Sequence, residues 1–251
     1  MPKVELKTPE EIAIMAEGGK KLGRVKNALF DLVKPGMSAM DVEEAAVRLI
    51  KAEGAEASFK RVPGYHWATC INVNSGVVHG IPKKETIFEE NDVLSIDVGV
   101  YYKGFHTDTA ISKYLGTDPK RAKFLEVGRQ ALNNAIKKAI AGNKIGDISR
   151  AYEETLTKAH LNPVRSLTGH GVGRELHEDP YIPCFVGNSA DERVTIVPGM
   201  TLALEVMYTE GSGELKLEKD GWTLRTKDAT ISALFEETVA VTATGTQILT
   251  R

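Results

Sequence analysis

The sequence predicts an α+β fold of two pseudo-symmetric halves, in which one curved antiparallel sheet is backed by outer helices. Three observations lead there. A helix–helix–strand pattern opens the chain and is replayed from residue 118 onward. Gly36-Met-Ser-Ala-Met-Asp41-Val-Glu-Glu-Ala aligns with Gly142-Asn-Lys-Ile-Gly-Asp147-Ile-Ser-Arg-Ala at an offset of 106 residues. Two apolar, strand-like runs, Leu94-Ser-Ile-Asp97-Val and Leu202-Ala-Leu-Glu205-Val, each carry a carboxylate at their centre, at an offset of 108. A duplicated unit accounts for all three together.

Thr8-Pro9-Glu10-Glu11 offers an N-cap, a proline at the first helical position and a capping-box Glu. Ile12, Met15, Leu22, Val25, Leu29 and Leu32 then recur at helical spacing until Pro35-Gly36 stops the helix. Ser38 and Asp41 start a second helix, with Val42, Ala45, Ala46, Leu49 and Ile50 inward, ending near Gly54. In the second half Asp118-Pro119 starts a helix expected to run to about Ala141, with Gly142 ending it. Gly-Thr pairs at 116–117 and 245–246 close the two last ligand-bearing strands. Glu210-Gly-Ser-Gly-Glu followed by Lys219-Asp-Gly-Trp222 suggests a hairpin near the site. No Pro/Ser-rich linker separates the halves, so a single domain, 1–251, is expected, divided at about 117/118.

Bulk properties narrow the class. Hydrophobic content of 42% and charged content of 26% are those of a soluble globular protein. A formal charge of −2 carries no electrostatic footprint for nucleic acid or an anionic membrane. Two cysteines make no disulfide framework, which points to a reducing, cytoplasmic compartment. The N-terminal stretch has no apolar signal core, and no run is long enough to span a bilayer.

A lone carboxylate amid an apolar strand costs several kcal/mol to bury unpaired, so Asp97 and Glu205 call for a cation. Asp108, in Gly104-Phe-His-Thr-Asp108-Thr, and Glu236, in Ala233-Leu-Phe-Glu236-Glu-Thr, form a second matched pair. Between the pairs lies Gly169-His170-Gly171-Val-Gly173-Arg-Glu-Leu-His177. Oxygen ligands with one or two imidazoles suit Mn, Fe(II), Co or Zn. Four carboxylates match two ions about 3.5–4 Å apart better than one, and such a pair makes hydroxide available at neutral pH. The glycines beside His170 allow a sharp, close approach of backbone to the ions.

Other candidates read as ordinary residues. His106 shares a face with Asp108 and is expected to support the site rather than ligate. His66 and His160 have no partner motif. Glu237 points to the opposite strand face from Glu236 and is excluded as a ligand. The Gly-x-Gly-x-Gly run lacks the Lys-Ser/Thr and the strand-to-helix context of a phosphate loop. Cys70 and Cys184 are too few for a zinc site.

These residues, in this order, resemble the bacterial, type I methionine aminopeptidases, and the resemblance covers nearly the whole chain. It is carried by Asn72-Val-Asn-Ser-Gly-Val-Val-His79-Gly-Ile-Pro82, Ser95-Ile-Asp97-Val-Gly, Gly104-Phe-His-Thr-Asp108-Thr and Gly169-His170-Gly171-Val-Gly173 with His177-Glu-Asp-Pro180. Pro198-Gly-Met-Thr-Leu-Ala-Leu-Glu205 and Lys219-Asp-Gly-Trp222-Thr complete the set. The resemblance implies the pita-bread fold and a dinuclear centre of Co, Mn, Fe or Zn. It implies Asp97, Asp108, His170, Glu205 and Glu236 as ligands, with Asp108 and Glu236 bridging and Asp97 chelating one ion.

It further implies His79 and His177 as catalytic, substrate-binding histidines and Glu205 as the relay for the water's proton. The reaction implied is hydrolysis of the bond after the initiator methionine of nascent proteins with a small second residue. Tyr65, Cys70, Met207 and Trp222 match pocket positions, with Leu176 where an aromatic or Met is more common and Phe59 as a further wall. Leu167 and Val206 also depart from the usual pattern, as does Tyr181-Ile-Pro-Cys184-Phe, which lacks the usual His or Asn.

Partners implied are nascent polypeptide N-termini and the ribosome, for a cytoplasmic monomer that binds neither nucleic acid nor membrane. An Xaa-Pro peptidase of the same fold would usually carry a large extra N-terminal domain, and a binding-only relative would lose ligands.

Overall fold

The computed structural model describes residues 2–251; Met1 lies outside them. The first half runs α1 (Pro9–Leu32), α2 (Ala39–Ala52), β1 (Glu56–Ala57), a 3₁₀ turn at Phe59–Arg61, β2 (Thr69–Val73), β3 (Gly76–Val78), β4 (Val93–Tyr102) and β5 (Phe105–Tyr114). Next come α3 (Pro119–Ile136), α4 (Ile145–Lys158), β6 (Asn162–Pro163), β7 (Thr168–Gly171), β8 (Glu178–Pro183) and a 3₁₀ turn at Asp191–Arg193. The chain finishes with β9 (Thr201–Thr209), β10 (Leu215–Leu217), β11 (Leu224–Thr226), β12 (Ser232–Thr242) and β13 (Gly245–Ile248).

Local chemistry accounts for the helix starts. Thr8 Oγ1 accepts from the Glu11 N–H while Glu11 Oε2 accepts from the Thr8 N–H, closing the expected capping box on α1. Ser38 and Asp41 repeat it on α2. In α4 only half of the device survives: the Asp147 carboxylate accepts from the N–H of Lys144, whose own side chain has no acceptor to return.

Ten strands form one sheet, ordered β1-β4-β5-β12-β9-β7-β8, with β2 also on β4, β13 on β12 and β6 on β9. Both halves therefore meet along β5 and β12. There Thr109 stands opposite Glu237, and the 128 residues separating them also separate Asp108 from Glu236. That pair marks the pseudo-two-fold axis. Corresponding bonds repeat away from it: Gly36 N–H to Phe88 O (2.8 Å) matches Gly142 N–H to Ile196 O (2.9 Å), and Ala39 N–H to Thr86 O (2.9 Å) matches Ile145 N–H to Val194 O (3.0 Å). Isolated bridges Ser38–Ile87 and Lys144–Thr195 correspond as well.

Strand alternation divides the sheet into two faces. On β4 and β9, Leu94, Ile96, Val98, Leu202, Leu204, Val206 and Tyr208 join two hydrophobic clusters under α1–α2 and α3–α4. The intervening positions, including Asp97 and Glu205, face the other way. No helix among the described residues is long and apolar enough to cross a membrane.

Two expectations need correction. The third helix ends at Ile136 rather than near Ala141, because Lys138 and Ala139 bond back only three residues and the chain tightens into turns. Ala139 is then fully buried, and its carbonyl accepts from Thr246 Oγ1. The Gly-Thr pairs are not equivalent, since Gly116-Thr117 leads into α3 whereas Gly245-Thr246 opens β13.

At the axis, on the helix side, Glu237 accepts from Lys26 Nζ (2.9 Å), Arg251 Nε (2.9 Å) and Thr250 Oγ1 (2.5 Å). Lys26 also donates to Thr109 Oγ1 at 3.0 Å. Both side chains of the Lys26–Glu237 pair are buried. Removing one member of a buried pair costs roughly 3–5 kcal/mol. Since Glu237 keeps two partners, Lys26→Met should cost about 3 kcal/mol in urea denaturation, at the low end of that range. An unmoved midpoint would show that the pair adds no net stability.

Candidate metal centre

The inner face of the sheet collects the acidic residues. Asp97 lies opposite Ala110 in the β4–β5 ladder, Glu205 lies opposite Glu236 in the β9–β12 ladder, and β7 brings His170 alongside Ala203. Asp108, at the axis, is held by Thr238, whose Oγ1 accepts from the Asp108 N–H (2.9 Å) and donates to its carbonyl (2.8 Å). The five residues expected as ligands, Asp97, Asp108, His170, Glu205 and Glu236, line a single cavity.

One donor atom from each of Asp108, His170 and Glu236 lies within 4.8 Å of the others. Glu205 Oε1 is 3.8 Å from His170 Nε2. His170 Nδ1 donates to the Gly171 carbonyl at 2.8 Å, an acceptor that requires the proton on Nδ1 and leaves the Nε2 lone pair for the cavity. The adjacent glycines serve the strands rather than an ion. A Cβ on Gly169 would sit 2.6 Å from the Ala203 carbonyl oxygen, and one on Gly171 would sit 2.4 Å from that of Asp179.

Electrostatics mark the cavity as a cation site. Burial, then the Asp108 and Glu205 charges, push Asp97 well above the ordinary carboxyl range. Burial and then the Asp108 charge push Glu205 and Glu236 well up. Asp108 is pushed up to about 7 by burial, against the hydrogen bond from the Thr109 N–H. Burial and then His177 push His170 down to about 3, so its imidazole is neutral, as a ligand must be. Asp97 Oδ1 and Glu236 Oε1 are buried without a hydrogen-bond partner. Buried acceptors of this kind are costly unless a cation or donor meets them. The donor set therefore fits divalent metal.

The remaining cavity wall is apolar. Phe59, Val62, Tyr65, Cys70, Leu176 and Trp222 enclose it beside His79 and His177, leaving about 140 Å³. That is close to the roughly 150 Å³ that takes a benzene-sized ligand, so it admits one side chain rather than a stretch of peptide. Tyr65 packs edge-on to Trp222, with ring centroids 5.1 Å apart, and spends its hydroxyl on the Thr69 carbonyl at 2.8 Å. Trp222 arrives on the expected hairpin, β10–β11, which pairs with β3 beside His79.

Met207 does not join that wall. It lies in a separate cluster with Val78, Cys184 and Leu234, two residues beyond Glu205 on the same face. Val62 and Val78 line the cavity without having been singled out. Val62 carries a readable signal, since Phe59, Val62 and Tyr65 repeat every third residue as a 3₁₀ turn requires. Val78 sits directly before His79.

His106 is buried, bonded through Nδ1 to Ser58 Oγ and packed on Tyr101. His66 and His160 are exposed. Cys184 is a buried thiol pushed up to about 12 by burial. Glu237 occupies the helix side of the sheet, as alternation requires.

Comparison with known proteins places this geometry. Residues 13–243 match the model of metallopeptidase family M24. The methionine aminopeptidase of Aquifex aeolicus is 38% identical, over 98% of both chains. Methionine aminopeptidase 1 of Bacillus subtilis is also 38% identical over 98% of each. The solved methionine aminopeptidase of Thermotoga maritima superposes with a TM-score of 0.95 at 39% identity, covering 99% of this chain and 100% of that one. A prolidase from Pyrococcus furiosus shares the fold alone, with a TM-score of 0.76 at 21% identity over 98% of this chain and 65% of its own. The chain belongs to metallopeptidase family M24, among the bacterial-type methionine aminopeptidases, and has their pita-bread fold.

Proposed function

We propose that this chain removes the initiator methionine from nascent polypeptides whose second residue is small, using two divalent ions held by Asp97, Asp108, His170, Glu205 and Glu236. The observation that carries the proposal is one cavity of about 140 Å³ lined together by these five side chains, by His79 and His177 and by an apolar wall. Asp97, Asp108 and His79 come from the first half and His170, His177, Glu205 and Glu236 from the second, which supports one catalytic domain made of both.

When bound, the ions supply a water of lowered pKa and polarise a carbonyl. The protein's own groups do the rest. Phe59, Tyr65, Cys70, Leu176 and Trp222 receive the methionine side chain, and the small volume beside them excludes longer segments. Burial holds His79 and His177 below the ordinary imidazole range, His79 being lowered further by His177. Both are thus neutral at pH 7, each with one N–H to donate and one nitrogen to accept. In this reading His177 donates to the scissile carbonyl oxygen as charge develops there, and His79 orients the peptide nitrogen. Glu205 takes the proton of the attacking water and returns it to the departing amine.

Met-Gly-Met-Met supplied to the metal-loaded protein should yield one free methionine, while a peptide beginning Met-Leu should yield almost none; sequential release of further residues would refute the exclusion argument. His79→Ala should lower kcat roughly a hundredfold with the fold intact, and unchanged turnover would remove His79 from catalysis.

Metal itself gives a separate test. Adding Mn(II) at about a hundred times its Kd to chelated protein should raise Tm by roughly 5–10 °C. Glu236→Gln should lose most of that rise, and a wild-type Tm indifferent to Mn(II) would count against the centre.

A further inference from the structure

A larger groove of about 730 Å³ adjoins the methionine pocket and shares Val62, Leu176 and His177 with it. Its walls also carry Lys60, Arg61 and Arg174 against a single acidic residue, Glu175. On the proposed aminopeptidase reading, atoms before the scissile bond fill the smaller pocket and the carbonyl lies at His177. The chain beyond that bond must then leave by a space bordered by His177. The other polar depression near His79, between Asn72 and Asp220, shares no lining residue with the pocket.

From this we infer that the groove seats the substrate's third to fifth residues and favours acidic side chains there. The inference rests on the aminopeptidase reading and extends it to substrate selection. The cations are held in place rather than free. Arg61 lies over the Tyr101 ring at 3.8 Å and pairs with Glu56 at 3.2 Å. Arg174 pairs with Glu5 and Glu11 and lies over Phe105. None of those carboxylates lines the groove. Each guanidinium has five N–H donors in a planar fork, so one or two used on its anchors leave others for a substrate carboxylate. Holding the fork in advance lowers the ordering cost of binding. Because these side chains are roughly half exposed, each contact is screened and modest.

The test compares C-terminally amidated Met-Ala-Asp-Asp-Ala, Met-Ala-Ser-Ser-Ala and Met-Ala-Lys-Lys-Ala, measuring methionine release by the metal-loaded full chain. We expect kcat/KM for the acidic peptide to exceed that for the lysine peptide by about five- to twentyfold at low salt, given one or two exposed contacts. The ratio should shrink toward unity in 0.5 M NaCl, and in the double variant Arg61→Gln/Arg174→Gln at low salt. Equal release from the acidic and lysine peptides by the unaltered protein would overturn the groove while leaving the aminopeptidase reading intact. A ratio unmoved by salt would overturn the electrostatic preference even if the double variant failed to fold. Release from none of the three would remove the activity and the groove with it.

Discussion

Four carboxylates share one buried cavity, and their mutual repulsion is the constraint that the rest of the structure answers. Two unit charges about 4 Å apart repel by about 4 kcal/mol at the effective dielectric of a protein site. Side chains free to move would turn apart. Here they cannot, because Asp97, Asp108, Glu205 and Glu236 stand on four sheet strands, β4, β5, β9 and β12, whose ladders fix each Cβ direction. The folding energy of the sheet holds the acids together, and a cation bound there would gain affinity from that preorganisation.

Neighbouring residues at the axis show how closely strand geometry sorts charge. Glu236 and Glu237 differ by one position and face opposite sides of β12. On the helix side Glu237 is satisfied by Lys26, Thr250 and Arg251. On the cavity side Glu236 keeps an unpartnered oxygen. A one-residue slip of register would exchange them, placing the neutralised acid in the cavity and the unmet one against the helices. The Lys26–Glu237 pair therefore helps specify register, and with it which acids face the cavity.

Much of this was legible in the sequence because it is written in short-range signals. Capping boxes at Thr8 and Ser38, alternation through Asp97 and Glu205, and the 106- and 108-residue offsets each depend on neighbours along the chain. Where tertiary contacts decide, the sequence was mute or misleading. The end of α3 is set by the burial of Ala139 and its contact with Thr246, more than a hundred residues away. Met207 shares the face of Glu205, yet whether it reaches the pocket depends on Val78 and Leu234 from other strands. Arg61 and Arg174 are far apart in sequence and border one groove only because the turn holding Arg61 and the loop after β7 both dock on β4–β5, through Ser58 N–H to Gly99 O and His106 N–H to Gly173 O.

The duplication also explains which parts of the site carry selectivity. The repeated units supply a nearly symmetric frame, which sets the carboxylates in two matched pairs, Asp97 with Glu205 and Asp108 with Glu236. The apolar pocket beside them shows no such pairing. Four of its lining residues come from segments without a counterpart in the other half. Phe59, Val62 and Tyr65 lie in the turn between α2 and β2, and Trp222 lies on the β10–β11 hairpin inserted between β9 and β12. The corresponding strands of the first half, β4 and β5, are joined by Lys103-Gly104 alone. Symmetric strands thus present the chemistry, and asymmetric insertions choose what reaches it. Changes of substrate preference within this architecture should therefore arise in the segment around residues 58–67 and in the hairpin, where the backbone can vary without moving a ligand.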